Sequence, residues 1–131
     1  MSLCLVANWK LNGSKEFNHQ WALEFLRNFN GNNFSILGIA PASLYIDHLK
    51  TILTDYDIEI GSQNIDLEET GARTGEISAS MIKDLGCAFS IIGHSERRML
   101  FHETNQMICQ KLIQADNNSV IPILCIGESA K

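Results

Sequence analysis

The sequence lacks the features that mark several common classes of protein. Its 131 residues carry a formal net charge of −5, and this acidic balance argues against a nucleic-acid partner, which usually meets a basic face. No apolar run approaches the roughly 20 residues that cross a bilayer, so no membrane partner is expected. The first residues lack the positively charged segment that opens a signal peptide. We therefore expect a cytoplasmic protein.

Several sequence motifs of metal, redox and nucleotide chemistry are also missing. The four cysteines form no C-x-x-C pair, which argues against a zinc ribbon or a thioredoxin site and favours reduced, buried thiols; they are Cys4, Cys87, Cys109 and Cys125. His94 and Glu96 form a His-x-Glu that resembles half of a zinc deaminase signature, but the Pro-Cys-x-x-Cys half is absent. Neither a G-x-G-x-x-G motif nor a P-loop occurs. The function must be sought elsewhere in the sequence.

Short apolar runs alternate along the chain with longer amphipathic stretches. The runs predict five strands, and their continuous apolar character is typical of parallel strands covered on both faces; they span 3–7, 34–40, 58–61, 88–93 and 120–127. Four helices are predicted between them from helical spacing, caps and stops. The first begins after Ser14, and the others span 42–53, 78–85 and about 103–115.

This alternation predicts a parallel α/β sheet. The strands recur about every 29 residues, so eight units would need about 235 residues, close to the roughly 250 of a (β/α)₈ barrel. A doubly wound open sheet could instead be complete near the length of this chain. The spacing leaves both architectures open, and the motifs must decide between them.

Polar residues follow the first and third predicted strands, where parallel β/α folds place their active sites. Asn8 and Lys10 lie two apart, so an extended backbone would point both to one side, and a lysine there suits an anionic substrate. A lysine at a strand end is nevertheless more often simply solvated. In the same way, the polar residues of Gly61-Ser62-Gln63-Asn64 could merely cap a loop.

The fourth predicted strand ends in Gly-His-Ser-Glu-Arg-Arg, residues 93–98. Gly93 permits a sharp turn, which would place His94 at the mouth of the sheet near the N-terminus of a helix or turn. The partial positive charge of such a terminus favours a neutral imidazole, which can donate a hydrogen bond to a developing enolate. A lone histidine is more often structural, but the charged and hydroxyl neighbours favour function here.

Five segments of the chain, taken together, resemble the triosephosphate isomerase family. They occur in the family's order and at its spacing: Asn8-Trp9-Lys10-Leu11-Asn12-Gly13, Gly61-Ser62-Gln63-Asn64, residues 71–78, residues 92–98 and Cys125-Ile126-Gly127-Glu128. The resemblance covers essentially the whole chain. It implies a parallel (β/α)₈ TIM barrel of which this chain holds roughly five strands and four helices. Residues 1–131 would then be the N-terminal part of a single barrel domain.

The resemblance implies a role for each matching residue. Lys10 would bind the triose phosphate substrate and offset its negative charge, and Asn8 would help to position it. His94 would be the neutral electrophile that polarises the carbonyl and moves protons between the substrate oxygens, with Glu96 a carboxylate near Lys10 and His94. The reaction is the interconversion of dihydroxyacetone phosphate and glyceraldehyde 3-phosphate, a step of glycolysis and gluconeogenesis. No cofactor and no metal are expected.

Other matching positions support the site or the assembly. Ser95 and Cys125 match positions that support the active site. Thr74, flanked by Arg73 and Gly75, matches a residue that enters the active site of a neighbouring subunit in a homodimer. It lies in the longest irregular stretch, 66–78, which we expect to protrude as a loop. Arg73 stands where an aromatic residue is common, so the detail of that dimer contact is expected to differ.

The resemblance also names parts of the family that residues 1–131 do not contain. These are the catalytic glutamate after the sixth strand, the lid loop and the phosphate-binding amides of the last two strands. Glu128 belongs to the motif of the fifth strand and is predicted to form a structural ion pair, not to replace the base. We expect open sheet edges, a tendency to aggregate and no isomerase activity from this chain alone. The alternatives are a half-barrel assembly module that needs a separate C-terminal half, and a non-catalytic remnant.

Overall fold

The computed structural model describes residues 3–31 and 34–127, so the prediction for Glu128 lies outside the described residues. The chain forms two compact units, 1–63 and 64–131, and each is described by itself. Among the described residues, no helix is long and apolar enough to cross a membrane.

Unit 1 is a three-stranded parallel sheet with its helices between the strands. Strand β1 (Cys4–Asn8) is followed by helix α1 (Lys15–Asn28), strand β2 (Ile36–Ala40), a 3₁₀ turn (Ser43–Tyr45), helix α2 (Ile46–Ile52) and strand β3 (Glu59–Ser62). Strand β2 lies between the other two: Asn8 of β1 pairs with Ala40, and Ile60 of β3 pairs with Ile39. The predicted β-α-β-α-β order of this half is confirmed.

Helix α1 begins where the sequence predicted. The Ser14 hydroxyl accepts a hydrogen bond from the Phe17 N–H at 3.1 Å, which satisfies one of the free donors of the first turn. Trp21, Phe25 and Phe29 follow at intervals of four residues and stack in turn, with ring centroids 5.0 and 5.4 Å apart. Trp9, from the segment after β1, packs edge-on against Trp21 at 4.8 Å. These aromatic contacts therefore anchor the end of β1 to the helix.

Unit 2 has a parallel strand pair and three helices. Helix α3 (Ala79–Asp84) leads to strand β4 (Phe89–Ile92), followed by helix α4 (Ser95–Leu100), helix α5 (Asn105–Asn117) and strand β5 (Ile121–Leu124). Strands β4 and β5 pair in register from Phe89 with Ile121 to Ile92 with Leu124. Hydroxyls cap two helices: Ser78 accepts from the Met81 N–H and Thr104 from the Met107 N–H. Parallel pairing in both units confirms the α/β class.

Helix α4 corrects the predicted number of helices, because the described residues contain five α-helices where four were predicted. Its sequence, Ser-Glu-Arg-Arg-Met-Leu, buries no residue, and Met99 and Leu100 are exposed. A six-residue helix without a buried face has no apolar stripe, and periodicity therefore misses it. The other corrections are small shifts of element ends, such as a fifth strand over 121–124 instead of 120–127.

Each unit buries its own apolar residues around its strands. The core residues of unit 1 include Ala22, Ile39, Ile46, Leu49 and Ile60, and those of unit 2 include Ile82, Phe89, Ile92, Ile108 and Val120. The prediction for the cysteines is right in part. All four are free thiols and Cys87 is buried, but Cys4 and Cys109 are exposed and Cys125 is half-buried. Cys4 is exposed because β1 pairs only with β2 within unit 1 and buries none of its residues fully.

Candidate functional site

The end of strand β1 places Asn8 next to Lys10, although not by an extended backbone. The strand ends at Asn8, and Lys10 has a φ of 54°, in the left-handed region that side-chain-bearing residues rarely adopt. The Lys10 N–H donates to Oδ1 of Asn8 at 3.0 Å. The premise that both side chains follow an extended strand is therefore wrong, because the chain turns at Lys10. Strained backbone of this kind costs about 1–3 kcal/mol and is concentrated at functional sites.

Gln63 joins the ends of the three strands of unit 1. Its Nε2 donates to the carbonyl oxygens of Lys10 and Ala40, each at 2.9 Å. Ala40 is the last residue of β2, and its carbonyl oxygen also accepts the Trp9 N–H at 3.0 Å. The sequence had marked Gln63 only as part of a polar segment. Its bond to Lys10 spans 53 residues, which no local pattern reveals.

The loop that follows Lys10 packs against the buried side-chain amide of Asn18. Gly13 has a φ of 117°, and a Cβ there would lie 2.7 Å from Oδ1 of Asn18, so both conformation and space require glycine. Asn18 is fully buried, and neither its Oδ1 nor its Nδ2 has a hydrogen-bond partner among the described residues. Burial of an unpaired carboxamide is costly. The sequence offered one signal for it: a polar residue beside the apolar face of α1.

His94 is the N-cap of helix α4; the sequence had predicted only that it lies near the N-terminus of a helix or turn. Its Nδ1 accepts the Glu96 N–H at 3.2 Å, and Oε2 of Glu96 lies 3.5 Å from the same nitrogen. The two contacts imply different proton positions, since the carboxylate contact needs a proton on Nδ1. We assign the proton to Nε2, because the backbone N–H can only donate and makes the shorter contact. In this assignment Nδ1 accepts the hydrogen bond and Nε2 carries the proton.

The turn that carries His94 needs glycine for two reasons. Gly93 has a φ of 72°, and a Cβ there would lie 3.1 Å from Cδ1 of Ile108 and 3.3 Å from Nη2 of Arg98. The Gly93 carbonyl accepts Nε of Arg98 at 2.9 Å, and Nη1 of Arg98 donates to Asn105 at 2.7 Å. Arg98 thereby ties the turn to the start of α5. The predicted sharp turn is confirmed, and the role of Arg98 is new.

A buried ionic cluster next to α4 was not predicted from the sequence. Oε1 of Glu103 accepts Nε of Arg97 and Nζ of Lys111, both at 2.5 Å, and Nζ of Lys111 also donates to Oδ1 of Asn64 at 2.7 Å. Lys111 is only 3% exposed, and it shares a helix face with the buried Ile108. A charge on an apolar helix face was the signal that could have revealed the cluster.

The pKa values of this cluster follow from burial and pairing. Burial alone would raise the pKa of Glu103, but hydrogen bonds and attraction from Lys111 and Arg97 outweigh it, so this pKa lies below its usual value. Burial lowers the pKa of Lys111, and the opposing influence of Glu103 does not fully restore it. The cluster is therefore a charged one in which each member depends on the others.

Ser95 and Cys125 stand next to other candidates of unit 2. Ser95 is the exposed first residue of α4, beside His94. The Cys125 N–H donates to the Ile92 carbonyl at 2.9 Å, which extends the β4–β5 pairing beyond β5. Burial raises the pKa of the Cys125 thiol, and the positive charge of Arg98 partly offsets the rise. The thiol is therefore a weak nucleophile, which fits a supporting position better than a reactive one.

The loop 66–78 is closed by its own hydrogen bonds. The Asp66 N–H donates to the Ile77 carbonyl at 2.8 Å and closes the base of the loop. Arg73 pairs with Asp66 through two hydrogen bonds, one of them from Nη2 to Oδ1 at 2.8 Å. Arg73 holds the pKa of Asp66 below its usual value. Thr74 and Gly75 are exposed beside this pair, with Gly75 at a φ of 94°.

No group of three His, Cys, Asp or Glu side chains is placed to hold a metal ion in the described ranges 3–31 and 34–127. Apart from Cys125, which follows β5, the predicted site residues fall into three local groups. Asn8 and Lys10 lie together after β1, His94, Ser95 and Glu96 lie together after β4, and Arg73, Thr74 and Gly75 share the loop 66–78.

Similarity to known proteins is found over the same residues. A family model described as triosephosphate isomerase matches residues 3–131. The chain is 46% identical over 95% of its length to a triosephosphate isomerase of Baumannia cicadellinicola, and 45% identical over 98% to that of Blochmanniella floridana. A triosephosphate isomerase of Escherichia coli is 40% identical over 95% of this chain. The matches cover 49, 50 and 49% of these proteins, so the chain spans about half the length of its curated relatives.

Proposed function

The chain belongs to the triosephosphate isomerase family, and from that premise we propose that it supplies Lys10, His94 and their supporting residues to an isomerase that interconverts dihydroxyacetone phosphate and glyceraldehyde 3-phosphate. Family membership identifies the fold as the parallel (β/α)₈ barrel, not the doubly wound sheet. The activity belongs to the whole protein, of which this chain corresponds to about half of the relatives' length. No metal or cofactor takes part in the proposed reaction.

The hydrogen bond from the Glu96 N–H to Nδ1 of His94 is the observation that carries the proposal. An isomerisation through an enediolate removes a proton from the carbon next to a carbonyl and returns it to the neighbouring carbon. The charge that develops on the substrate oxygen needs a donor. The Glu96 N–H occupies Nδ1, which leaves the Nε2 proton of the neutral His94 ring for that purpose. This family is itself the standard illustration of a neutral histidine used as an electrophile.

The remaining residues have supporting roles in the proposed reaction. Lys10 attracts the phosphate-bearing anion, which a compact ammonium group does well, and Asn8 fixes the backbone of Lys10. Glu96 sets the proton position of His94 through its backbone N–H, and its carboxylate lies 3.5 Å from the ring. Ser95 and Cys125 shape the ends of β4 and β5. The base that removes the carbon-bound proton is the glutamate that the family places after its sixth strand.

The proposal is tested with the full chain joined to the C-terminal half of the Escherichia coli relative, which together give the length of a complete isomerase. Isomerase turnover is measured for this fusion protein and for two variants, Lys10→Ala and His94→Gln. Both variants should lose most of the activity. The matched controls are Lys15→Ala and His19→Gln, exposed residues of the same types in α1, which should leave turnover unchanged. Unchanged turnover in either site variant would contradict the assigned role.

A second candidate role, as a half-barrel assembly module, is favoured by the outer strands. Leu3 and Leu5 of the β1 region are 58% and 51% exposed, and Ile121 and Leu124 of β5 are 49% and 44% exposed. Exposed apolar side chains on edge strands favour association. Co-expression of residues 1–131 with a separate C-terminal half should then give a stable complex with turnover. If neither a complex nor turnover appears, this second role is wrong.

The assembly and location of the protein are part of the same proposal. We propose a homodimer in the cytoplasm, with Thr74 on the loop 66–78 reaching the neighbouring subunit. The exposed Thr74 and the closed base of its loop support this role, because a loop fixed by its own bonds loses little freedom on docking. Arg73 pairs with Asp66 within the loop and would hold the loop's shape where an aromatic side chain would reach outward.

A further inference from the structure

We infer that Gln63 is a positioning residue for Lys10, whose backbone carbonyl it holds while the ammonium group binds substrate. The inference rests on the proposed function, because it gives Gln63 a role in catalysis only if Lys10 has one. The sequence motifs gave Gln63 no role of its own. The observations that support a role are its hydrogen bonds within unit 1.

The carboxamide of Gln63 has two N–H donors, and two carbonyl oxygens are placed to accept them. Nε2 lies 2.9 Å from the Lys10 oxygen and 2.9 Å from the Ala40 oxygen. Ala40 pairs with Asn8 in the sheet, and its oxygen also accepts the Trp9 N–H. Gln63 therefore attaches the Lys10 peptide to the point where β1 and β2 are already joined.

Lys10 needs this attachment because its backbone is in a costly conformation. With a φ of 54°, a residue that bears a side chain returns to an ordinary conformation unless its surroundings prevent it. Side chains hold both sides of the residue: Asn8 accepts the Lys10 N–H, and Gln63 donates to the Lys10 carbonyl. Asn8, the last residue of β1, fixes only the amide side of Lys10. Gln63, which directly follows β3, fixes the carbonyl side from a different strand end.

The two hydrogen bonds donated by Gln63, called the clamp from here on, require glutamine among the residues of its size. Glutamate has no donor when it is ionised, and two carbonyl oxygens would face its negative charge. Asparagine is one methylene shorter, so it cannot span the same distance from the same backbone. Methionine fills a similar volume and makes neither hydrogen bond. Gln63→Met therefore removes the clamp with little change in packing.

The test is a double-mutant cycle in the full chain joined to the C-terminal half of the Escherichia coli relative. Gln63→Met should lower kcat/KM by about 10- to 100-fold, because displacement of a substrate-binding group by about 1 Å can cost 100-fold. In the Lys10→Ala background the same change should lower kcat/KM by less than about 2-fold, because the ammonium group that Gln63 would position is no longer present. Ile39→Val, a buried change in β2, is the control: it should lower Tm without lowering kcat/KM.

The outcomes separate this inference from the proposed function. If Lys10→Ala leaves turnover intact, the role of Lys10 in the proposed function is wrong. The positioning role of Gln63 is overturned if Lys10→Ala lowers kcat/KM but Gln63→Met leaves it unchanged. It is also overturned if Gln63→Met lowers kcat/KM by the same factor in both backgrounds.

A second variant keeps the inference testable if Gln63→Met does not fold. Gln63→Glu should lose kcat/KM relative to the parent protein and regain part of it toward acidic pH, where the protonated carboxyl can donate one hydrogen bond. A Gln63→Glu penalty that does not change with pH would overturn the inference.

Discussion

The Glu103 carboxylate and the Lys111 ammonium form an ion pair with an N–O distance of 2.5 Å and side chains only 2% and 3% exposed. Charges this deeply buried are tolerated only when each is paired, because transfer from water costs several kcal/mol per ion. Arg97 and Asn64 add one hydrogen bond each. Through Arg97 and Asn64, the pair therefore links α5 to α4 and to the first residue of unit 2.

The first prediction concerns the loss of one member of this pair. Lys111→Met leaves Glu103 buried with only Arg97 as its ionic partner, and we expect a loss of about 3–5 kcal/mol in the free energy of unfolding. Replacing both residues, as Lys111→Met with Glu103→Leu, should cost less than Lys111→Met alone, because no buried carboxylate remains and the side chain of Arg97 is partly exposed to solvent. Urea denaturation of the fusion protein measures both. A double variant less stable than Lys111→Met would contradict this, because it would show that Glu103 stabilises the fold through Arg97 even without Lys111.

The second prediction concerns pH and the loop 66–78. The hydrogen bonds from Arg73 lower the pKa of Asp66 in the folded protein below the ordinary value of 3.8. A carboxyl with a depressed pKa contributes stability that is present above its unfolded pKa and is lost as the pH falls through its folded pKa. The difference in unfolding free energy between the parent and Asp66→Asn should therefore be constant above about pH 5 and shrink below about pH 4. A difference that grows toward acid would contradict the pairing.

The third prediction concerns Gly93 at the turn before His94. Gly93→Ala introduces a Cβ at a φ of 72° and 3.1 Å from Ile108, so both backbone strain and crowding oppose it. We expect a loss of about 2–4 kcal/mol in the free energy of unfolding. Gly31→Ala is the matched control, because Gly31 has a φ of 87° but no atom within 4 Å of the new Cβ. It should cost only about 1–2 kcal/mol, and equal losses would mean that Ile108 moves aside without cost.

The fourth prediction concerns Asn18 under the loop after β1. Its buried amide has no partner among the described residues, so Asn18→Leu, which keeps the branched shape, should raise the free energy of unfolding by about 1–3 kcal/mol. Gln20→Leu, at an exposed position of the same helix, should change it by less than about 0.5 kcal/mol. Thermal or urea unfolding measures both. A destabilised Asn18→Leu would mean that the amide is bonded, for instance to a buried water.

Local patterns predicted most of the fold. The start of α1 after Ser14 and the apolar strands involve residues a few positions apart, and these elements are found near where the sequence placed them. The expected cover on both faces is found for β4 but not for β1 and β5, whose residues are largely exposed. Helix α4 escaped prediction because it is short and buries none of its residues. The choice of a barrel came from the family motifs, because the spacing of strands also allows an open sheet.

The motifs proposed candidate site residues, but they gave little of the geometry of those residues. The motifs identified Lys10 and His94, but no motif indicates that Lys10 has a left-handed backbone or that Gln63 holds its carbonyl. Partners 53 residues apart are set by the sheet register, which a single sequence does not reveal. The bond between Asn64 and Lys111 spans 47 residues and was missed for the same reason. A sequence can still indicate a buried polar contact through a charged or amide side chain on an apolar helix face, as at Lys111 and Asn18.

The central claim is that the neutral His94 serves an isomerase as its electrophile. The most direct test is kcat/KM for glyceraldehyde 3-phosphate in the fusion of this chain with the C-terminal half of the Escherichia coli relative, before and after His94→Gln. The account predicts isomerase turnover in the parent fusion protein and a loss of about 100- to 10,000-fold in the variant, the range expected when a positioned proton donor is removed. Turnover in the variant within a few-fold of the parent would contradict it.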